Sequence, residues 1–313
     1  MIDPGPQLVA TLIAKPGSGA LSQDFVDAAT RAIAGANPRT ANDPPLAQRW
    51  LSWGEACEIS FRARPRPEGA VAPLDLRSLP GASNFDLAVL PAEHRRKKLL
   101  VADMESTIIQ QECLDELADY AGVREKIAAI TERAMRGELD FEAALKQRVG
   151  LLKGLDAKVL EEIYALRIAL MPGAQGLIST MKAHGATCAL VSGGFSFFTE
   201  RIAARLGFDM HQANRLDIAA GSIAGTVGEP ILGREAKLAA LQRLTCEQGL
   251  SAALTMAVGD GANDLAMIKA AGLGVAFRAK PIVAAQAAVS IVHGDLTALL
   301  FLQGYARHEF SEG

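Results

Sequence analysis

Val258-Gly259-Asp260-Gly261-Ala262-Asn263-Asp264 follows directly on an apolar run, Leu254 to Val258, and sets two acids and an amide on a glycine-rich turn. Such a turn holds hard oxygen ligands at the carboxyl end of a buried strand, where open α/β sheets place their ligands. Oxygen donors with little nitrogen or sulfur favour Mg²⁺ over zinc or iron. A second acidic strand end beside this one would make the pair a Mg²⁺ site for phosphate chemistry.

That second strand end is Asp103, which closes the continuous apolar run Leu99-Leu100-Val101-Ala102, with Glu105 two residues on. A run of this kind fits a strand buried on both faces of a parallel sheet. The spacing then predicts a helix over Thr107 to Tyr120, opened by a Thr107–Gln110 capping box and striped by Ile109, Cys113, Leu117 and Tyr120. Residues 121 to 171 read as mostly helical, broken at Gly150 and Gly154 and closed by Pro172-Gly173. Beyond them come a strand at Cys188–Val191, a helix at Phe195–Leu206 and a hairpin ending near Ile231. A helix at Ala236–Gln248, a strand at Leu254–Val258, a helix at Asp264–Ala271 and a strand at Gly274–Phe277 follow. The alternation predicts an α/β fold, a doubly wound parallel sheet with a helical cap at about 110–171 inserted after its first strand.

Residues 1–92 read as a separate small α/β domain and 93–313 as the sheet domain. Gln7 to Ala14 is strand-like, Ser22 to Ala34 helical, Asn37 to Pro45 a loop and Trp50 to Arg64 strand-like, with β-formers near Glu58 to Phe61. Pro- and Gly-rich segments lead to a short strand, Phe85 to Leu90. This part carries no paired acids, histidine cluster or phosphate loop, so packing, dimer formation or sensing is its expected role.

Composition narrows the partners. Of 313 residues, 50% are hydrophobic, and 32 Lys plus Arg stand against 35 Asp plus Glu, for a net charge of −3. That balance leaves no basic footprint for nucleic acid, and Arg95-Arg96-Lys97-Lys98 is expected to be a solvated linker. No apolar run approaches the roughly 18 residues of a membrane helix, and Met1 to Pro6 lacks a signal-peptide pattern. Cys57, Cys113, Cys188 and Cys246 are widely spaced without a CxxC, which fits free thiols in a reducing cytoplasm.

Two further elements suit phosphate. Ser192-Gly193-Gly194 follows a strand and is expected to open a helix, aiming backbone N–H groups and a hydroxyl at an anion. Lys237 lies on the first turn of a helix after Gly233. Gly228 to Gly233 has the glycine spacing of a Walker loop, but Arg234-Glu235 replaces its Lys-Ser/Thr, so that reading is rejected. Each element alone is an ordinary turn or surface charge. Their succession is specific.

In that order the four elements resemble the haloacid dehalogenase (HAD) superfamily of aspartyl-phosphate hydrolases, and within it the phosphoserine phosphatases. Asp103-Met104-Glu105-Ser106-Thr107 looks like the family's Asp-x-Asp-Ser-Thr motif, and the resemblance spans about residues 97 to 295. It implies a Mg²⁺-dependent enzyme acting on O-phospho-L-serine through a phosphoaspartate. It implies Asp103 as nucleophile, and Asp103, the Glu105 carbonyl and Asp260 as metal ligands supported by Asp264. Ser192, Gly193, Lys237 and Asn263 would hold the phosphate, while Glu112 and Arg148 in the cap would take the substrate ammonium and carboxylate. Residues 1–92 loosely resemble small ACT-like regulatory domains.

Glu105 departs from the family, which has Asp there. Acidity differs little, about 4.3 against 3.9, but one methylene changes reach in a site sensitive to about 1 Å. The expectation is that the neighbouring turn or cap accommodates Glu105, leaving it as proton donor and then base. Two alternatives are a phosphatase or phosphotransferase of the same fold acting on another phosphomonoester such as phosphohomoserine, and an inactive amino-acid sensor.

Overall fold

A computed structural model describes residues 5–37, 46–63, 75–136 and 138–311. The chain begins with β1 (Gln7–Ile13), α1 (Gln23–Ala36), β2 (Ala47–Ser52), β3 (Ala56–Arg62) and β4 (Asp86–Pro91), the strands forming an antiparallel sheet in the order β2-β3-β1-β4. Ser22 caps α1 by accepting from the Phe25 N–H at 3.3 Å, and Val26, Ala29 and Ile33, one helical face, are buried with Leu12 and Ile59. The strand-like stretch expected from Trp50 divides into the end of β2, a turn and β3, which holds Glu58 to Phe61. Gly54, at φ 73°, supplies the left-handed residue that lets β2 turn back into β3. The expected loop beyond Asn37, residue 64 and the Pro/Gly-rich stretch up to residue 74 lie outside the described residues.

The second sheet starts at β5 (Leu99–Ala102). Four helices follow, α2 (Cys113–Tyr120), α3 (Arg124–Met135), α4 (Phe141–Gly150) and α5 (Lys158–Leu166), before α6 (Ala174–Ala183) and β6 (Thr187–Phe195) return to the sheet. Then come α7 (Ser196–Leu206), β7 (Met210–Asn214), the hairpin β8 (Leu216–Ala219) and β9 (Ser222–Val227), and α8 (Arg234–Glu247). β10 (Thr255–Gly259), α9 (Leu265–Ala270), β11 (Leu273–Phe277), α10 (Pro281–Ala284), β12 (Val289–Ile291) and α11 (Ala298–Leu302) complete the order.

Six strands pair in parallel in the order β12-β11-β10-β5-β6-β7. Alternate residues of β5 serve opposite cores. Leu100 and Ala102 join Val258 and Leu190 on one face, and Leu99 and Val101 join Ala257 and Leu241 on the other. Both faces are therefore covered, as the continuous apolar run requires. Register does the rest: Ala102 stands beside Val258 on one side and Leu190 on the other. Asp103 and Asp260 consequently leave the sheet at one edge, where β6 runs on through Ser192.

Several local expectations fail for tertiary reasons. The helix read from Thr107 starts only at Cys113. Ile108 and Ile109 are fully buried, both donate to the Met104 carbonyl, and Ile109 bridges Leu170, so the core draws residues 107–112 into turns and no Thr107 capping box forms. Ser192-Gly193-Gly194 does not open a helix but continues β6 in extended form, the helix starting at Ser196. The hairpin ends at Val227 rather than near Ile231, and it docks on the cap through Gly154 N–H to Ile223 O at 2.9 Å and Ile223 N–H to Leu155 O at 2.8 Å.

Arg95 to Lys98 is only in part a solvated linker: Arg96 and Lys98 are exposed, but Arg95 and Lys97 turn inward. Arg95 pairs with buried Glu58 at 2.6 Å and donates to the Leu302 carbonyl at 3.1 Å, while Lys97 is buried with its ammonium on the Ala253 carbonyl at 2.7 Å. Asp86 of β4 adds an anchor, accepting from the N–H groups of Val292, His293 and Gly294. The antiparallel sheet is thus fastened to the parallel one by buried charge. Removing one partner leaves the other desolvated and unpaired, which costs about 3–5 kcal/mol. Arg49, also on Glu58 at 2.7 Å, softens the loss. Arg95→Ala should therefore lower stability in urea by about 3 kcal/mol; an unchanged unfolding midpoint would show that the contact contributes nothing.

Candidate active site

Asp103, Asp260 and Asp264 bring carboxylate oxygens within 4.8 Å of one another at the shared sheet edge. Each is there for a local reason. Asp103 is the first residue past β5, and Asp260 the first past β10. Asp264 ends the turn that leads into α9 and folds its carboxylate back under that turn, where Oδ2 accepts the Gly261 N–H at 3.0 Å. Gly259 has to be glycine, since a Cβ there would overlap the Asp264 carboxyl group. Gly261 is crowded in the same way by the Asn263 side chain, which stands half-buried over the turn.

Lys237 reaches in from the first turn of α8 and is buried, not solvated. Its ammonium lies 2.7 Å from Asp103 Oδ1 and 2.6 Å from Asp264 Oδ1. Asp103 Oδ1 also accepts the Met104 N–H at 2.7 Å, so both bonds fall on one oxygen and Oδ2 is the one left for chemistry. Burial pulls the lysine pKa down, but the two aspartates outweigh it and hold the ammonium charged. Burial pushes Asp103 well above the ordinary carboxylate range; Asp264 adds to this and Lys237 opposes it. Asp260 is raised to about 6 by burial and by the Asp264 charge. One lysine does not compensate three carboxylates. Their shortfall of positive charge, on oxygen donors alone, fits a hard divalent cation held by Asp103, Asp260 and Asp264.

Ser192 and Gly193 border this cluster on the β6 side. The buried Ser192 hydroxyl accepts from Gly194 N–H at 2.9 Å. Asn214, at the end of β7, holds the loop from behind, donating to the Gly193 carbonyl at 2.8 Å and accepting Leu232 N–H at 2.7 Å. Sequence reasoning misses this asparagine, whose only signal is a polar residue closing a strand. It also misses Phe141 of α4, whose ring would meet a Cβ placed on Gly193 or Gly233 and so roofs the phosphate-type loops from the cap.

Glu105 turns toward the cap. Its Oε1 accepts the N–H of Cys113, the first residue of α2, at 2.8 Å. Burial, reinforced by Glu112, raises it to about 7. Glu112 is not on the helix face but at the N-cap of α2, exposed, and accepts the Ser106 hydroxyl at 2.7 Å. Ser106 takes φ 54°, an uncommon left-handed conformation for serine that turns the chain between Glu105 and Thr107. Arg148 of α4 is half-buried and makes no ion pair among the described residues; it donates to Ala144 O at 3.2 Å and reaches Thr131 Oγ1 at 3.5 Å. Asp103, Lys237, Asp260 and Asp264 therefore meet directly, Ser192, Gly193 and Asn263 flank them, and Glu105, Glu112 and Arg148 belong to the junction with the cap.

The family profile described as haloacid dehalogenase-like hydrolase matches residues 100–269. A phosphoserine phosphatase from Streptococcus thermophilus is 47% identical over 200 residues, 64% of this chain and 93% of that one. One from Streptomyces coelicolor is 44% identical over 230 residues, 73% of this chain but 56% of its own length. The chain spans 56% to 65% of the first curated relatives it matches. A solved HAD family hydrolase from Salmonella enterica subsp. enterica serovar Typhi is 30% identical, with TM-score 0.79 over 95% of this chain and 98% of that one.

The raised carboxyls have a consequence for stability. Asp103 and Asp260 keep protons in the folded state at pH values where the unfolded chain, near 3.9, has lost them. The Asp260 contribution in the metal-free protein is complete below about pH 4 and is lost as pH rises through about 6, and Asp103, raised well above the ordinary carboxylate range, shifts in the same direction. A divalent cation binds the ionised forms and offsets the loss. Thermal unfolding should therefore show a Mg²⁺-induced rise in Tm that is larger at pH 8 than at pH 5. Equal shifts at both pH values would contradict the cluster as the binding site.

Proposed function

The chain belongs to the haloacid dehalogenase-like hydrolases, and we propose that it hydrolyses O-phospho-L-serine to L-serine and phosphate with Mg²⁺ as its metal ion. The observation that carries the reading is Asp103. One of its oxygens is held by Lys237 and the Met104 N–H, which leaves the other for the phosphoryl group, and β6, the strand that carries Ser192 and Gly193, pairs directly with β5 beside it. Three curated phosphoserine phosphatases at 42–47% identity support the substrate class.

On this reading Asp103 Oδ2 forms a bond to phosphorus as the bond to the serine oxygen breaks. The Glu105 carboxyl gives its proton to that departing oxygen. The resulting carboxylate then takes a proton from water, whose oxygen attacks the phosphoaspartate and releases phosphate and the Asp103 carboxylate. A pKa near 7 suits Glu105 to both halves. Lys237, Ser192, the Gly193 N–H and Asn263 hold the phosphoryl oxygens, and Asp103, Asp260 and the Glu105 carbonyl, with Asp264, hold the metal. Bound there, the cation supplies positive charge that lets carboxylate and phosphate approach and offsets charge in the transition state.

Glu112 takes the substrate ammonium and Arg148 forks onto its carboxylate. The lack of any ion pair at Arg148 among the described residues supports this assignment, because it leaves the guanidinium for a ligand. We assign residues 1–92 a packing, dimerising or sensing role outside the chemical step. Buried free thiols at Cys57, Cys113 and Cys188 support a reducing cytoplasm for the protein.

Phosphate release from phosphoserine, phosphohomoserine, phosphothreonine and sugar phosphates, with and without Mg²⁺, tests the proposal. Mg²⁺-dependent turnover with phosphoserine preferred is expected. Comparable rates on sugar phosphates would remove the amino-acid assignment, and no release from any compound would favour the sensor.

A further inference from the structure

Gly194 is a glycine without a backbone reason. Its φ lies outside the left-handed region, so an alanine could take its conformation. What it lacks room for is a side chain. A Cβ on Gly194 would sit 2.7 Å from Glu105 Oε2 and 3.0 Å from Oε1 and Cδ, and these three atoms are its nearest neighbours. The same carboxylate is also tied to the cap, its Oε1 accepting the Cys113 N–H at 2.8 Å. Glu105 is thus clasped between the Gly194 backbone of β6 and the amino end of α2.

From this we infer that Gly194 is a positioning residue, whose missing side chain makes the pocket that lets the longer Glu105 stand where the proton is exchanged, with the Cys113 N–H as the opposing stop. The inference rests on the acid/base role of Glu105 proposed above. It differs from that role in naming what sets the carboxylate's place. The extra length that Glu105 has over an aspartate has to be housed somewhere, and the contacts put its carboxylate between Gly194 and the Cys113 N–H. A methyl group on residue 194 leaves the Glu105 backbone in place and drives its carboxylate off the Cys113 N–H. An aspartate at position 105, with a shorter reach, does not extend to that methyl group.

The experiment is a double-mutant cycle of Gly194→Ala and Glu105→Asp, read in two ways on the full-length protein. In turnover, Gly194→Ala should lose about 10²-fold in kcat, the size of a general acid or base contribution, with KM changed less than about threefold. Adding Glu105→Asp to Gly194→Ala should restore most of that loss. In thermal unfolding, Gly194→Ala should lower Tm when Glu105 is present and lower it less in the Glu105→Asp background. A kcat loss that Glu105→Asp fails to restore, or a Tm loss equal in both backgrounds, would overturn the inference. If wild-type protein releases phosphate from no phosphomonoester, the functional proposal fails by itself, and the unfolding cycle still decides whether Gly194 houses Glu105.

Discussion

Asp103, Asp260 and Asp264 share one buried corner with a single ammonium, Lys237. Like charges at this spacing repel, and desolvation strengthens the repulsion, as the raised pKa values of Asp103 and Asp260 record. With all four groups ionised, two negative charges stay uncompensated, which a divalent cation matches in number and in preference for oxygen. Much of the fold holds these groups against their repulsion. The β5–β10 register sets two of the acids side by side, the missing side chain at Gly259 lets Asp264 fold under its own turn, and α8 delivers the lysine.

Phosphoryl transfer needs both features of such a corner. The charge that makes it uncomfortable when empty makes it attractive to a cation and then tolerant of an incoming anion. Lys237 does two jobs, holding the Asp103 carboxylate by one oxygen and bracing Asp264. The cap closes the corner from above through Phe141, and the β8–β9 hairpin steadies the cap's lower edge through residues 154 and 223.

How much of this is legible in the sequence follows from how local each feature is. Leu99-Leu100-Val101-Ala102 and Met256-Ala257-Val258 declare themselves because burial on both faces forces apolar runs. Asp103, Asp260, Asp264 and Lys237 can be found as acids and a cation at element ends in a recurring order. Residues 107–112 mislead because the Thr107–Gln110 spacing imitates a cap, whereas the pull of Ile108 and Ile109 into the core is long-range. Arg95 and Lys97 pass for solvated residues because nothing nearby in sequence announces Glu58 or the Ala253 carbonyl. Asn214 and Phe141 escape for the same reason: their partners, the Gly193 carbonyl and the glycine loops, are distant in the chain. In the sequence Glu105 is the odd residue of the site. Its explanation, a glycine across the sheet edge and a helix start in the cap, requires coordinates.

Whether the buried Asp103 carboxylate itself receives the phosphoryl group is decided by rapid acid quench of the Mg²⁺-loaded protein with ³²P-labelled phosphoserine, followed by peptide mapping. The expected result is an acid-stable, base-labile label on the peptide containing Asp103, absent when that residue is changed to Asn. Label on another residue, or full turnover by Asp103→Asn protein, would contradict it.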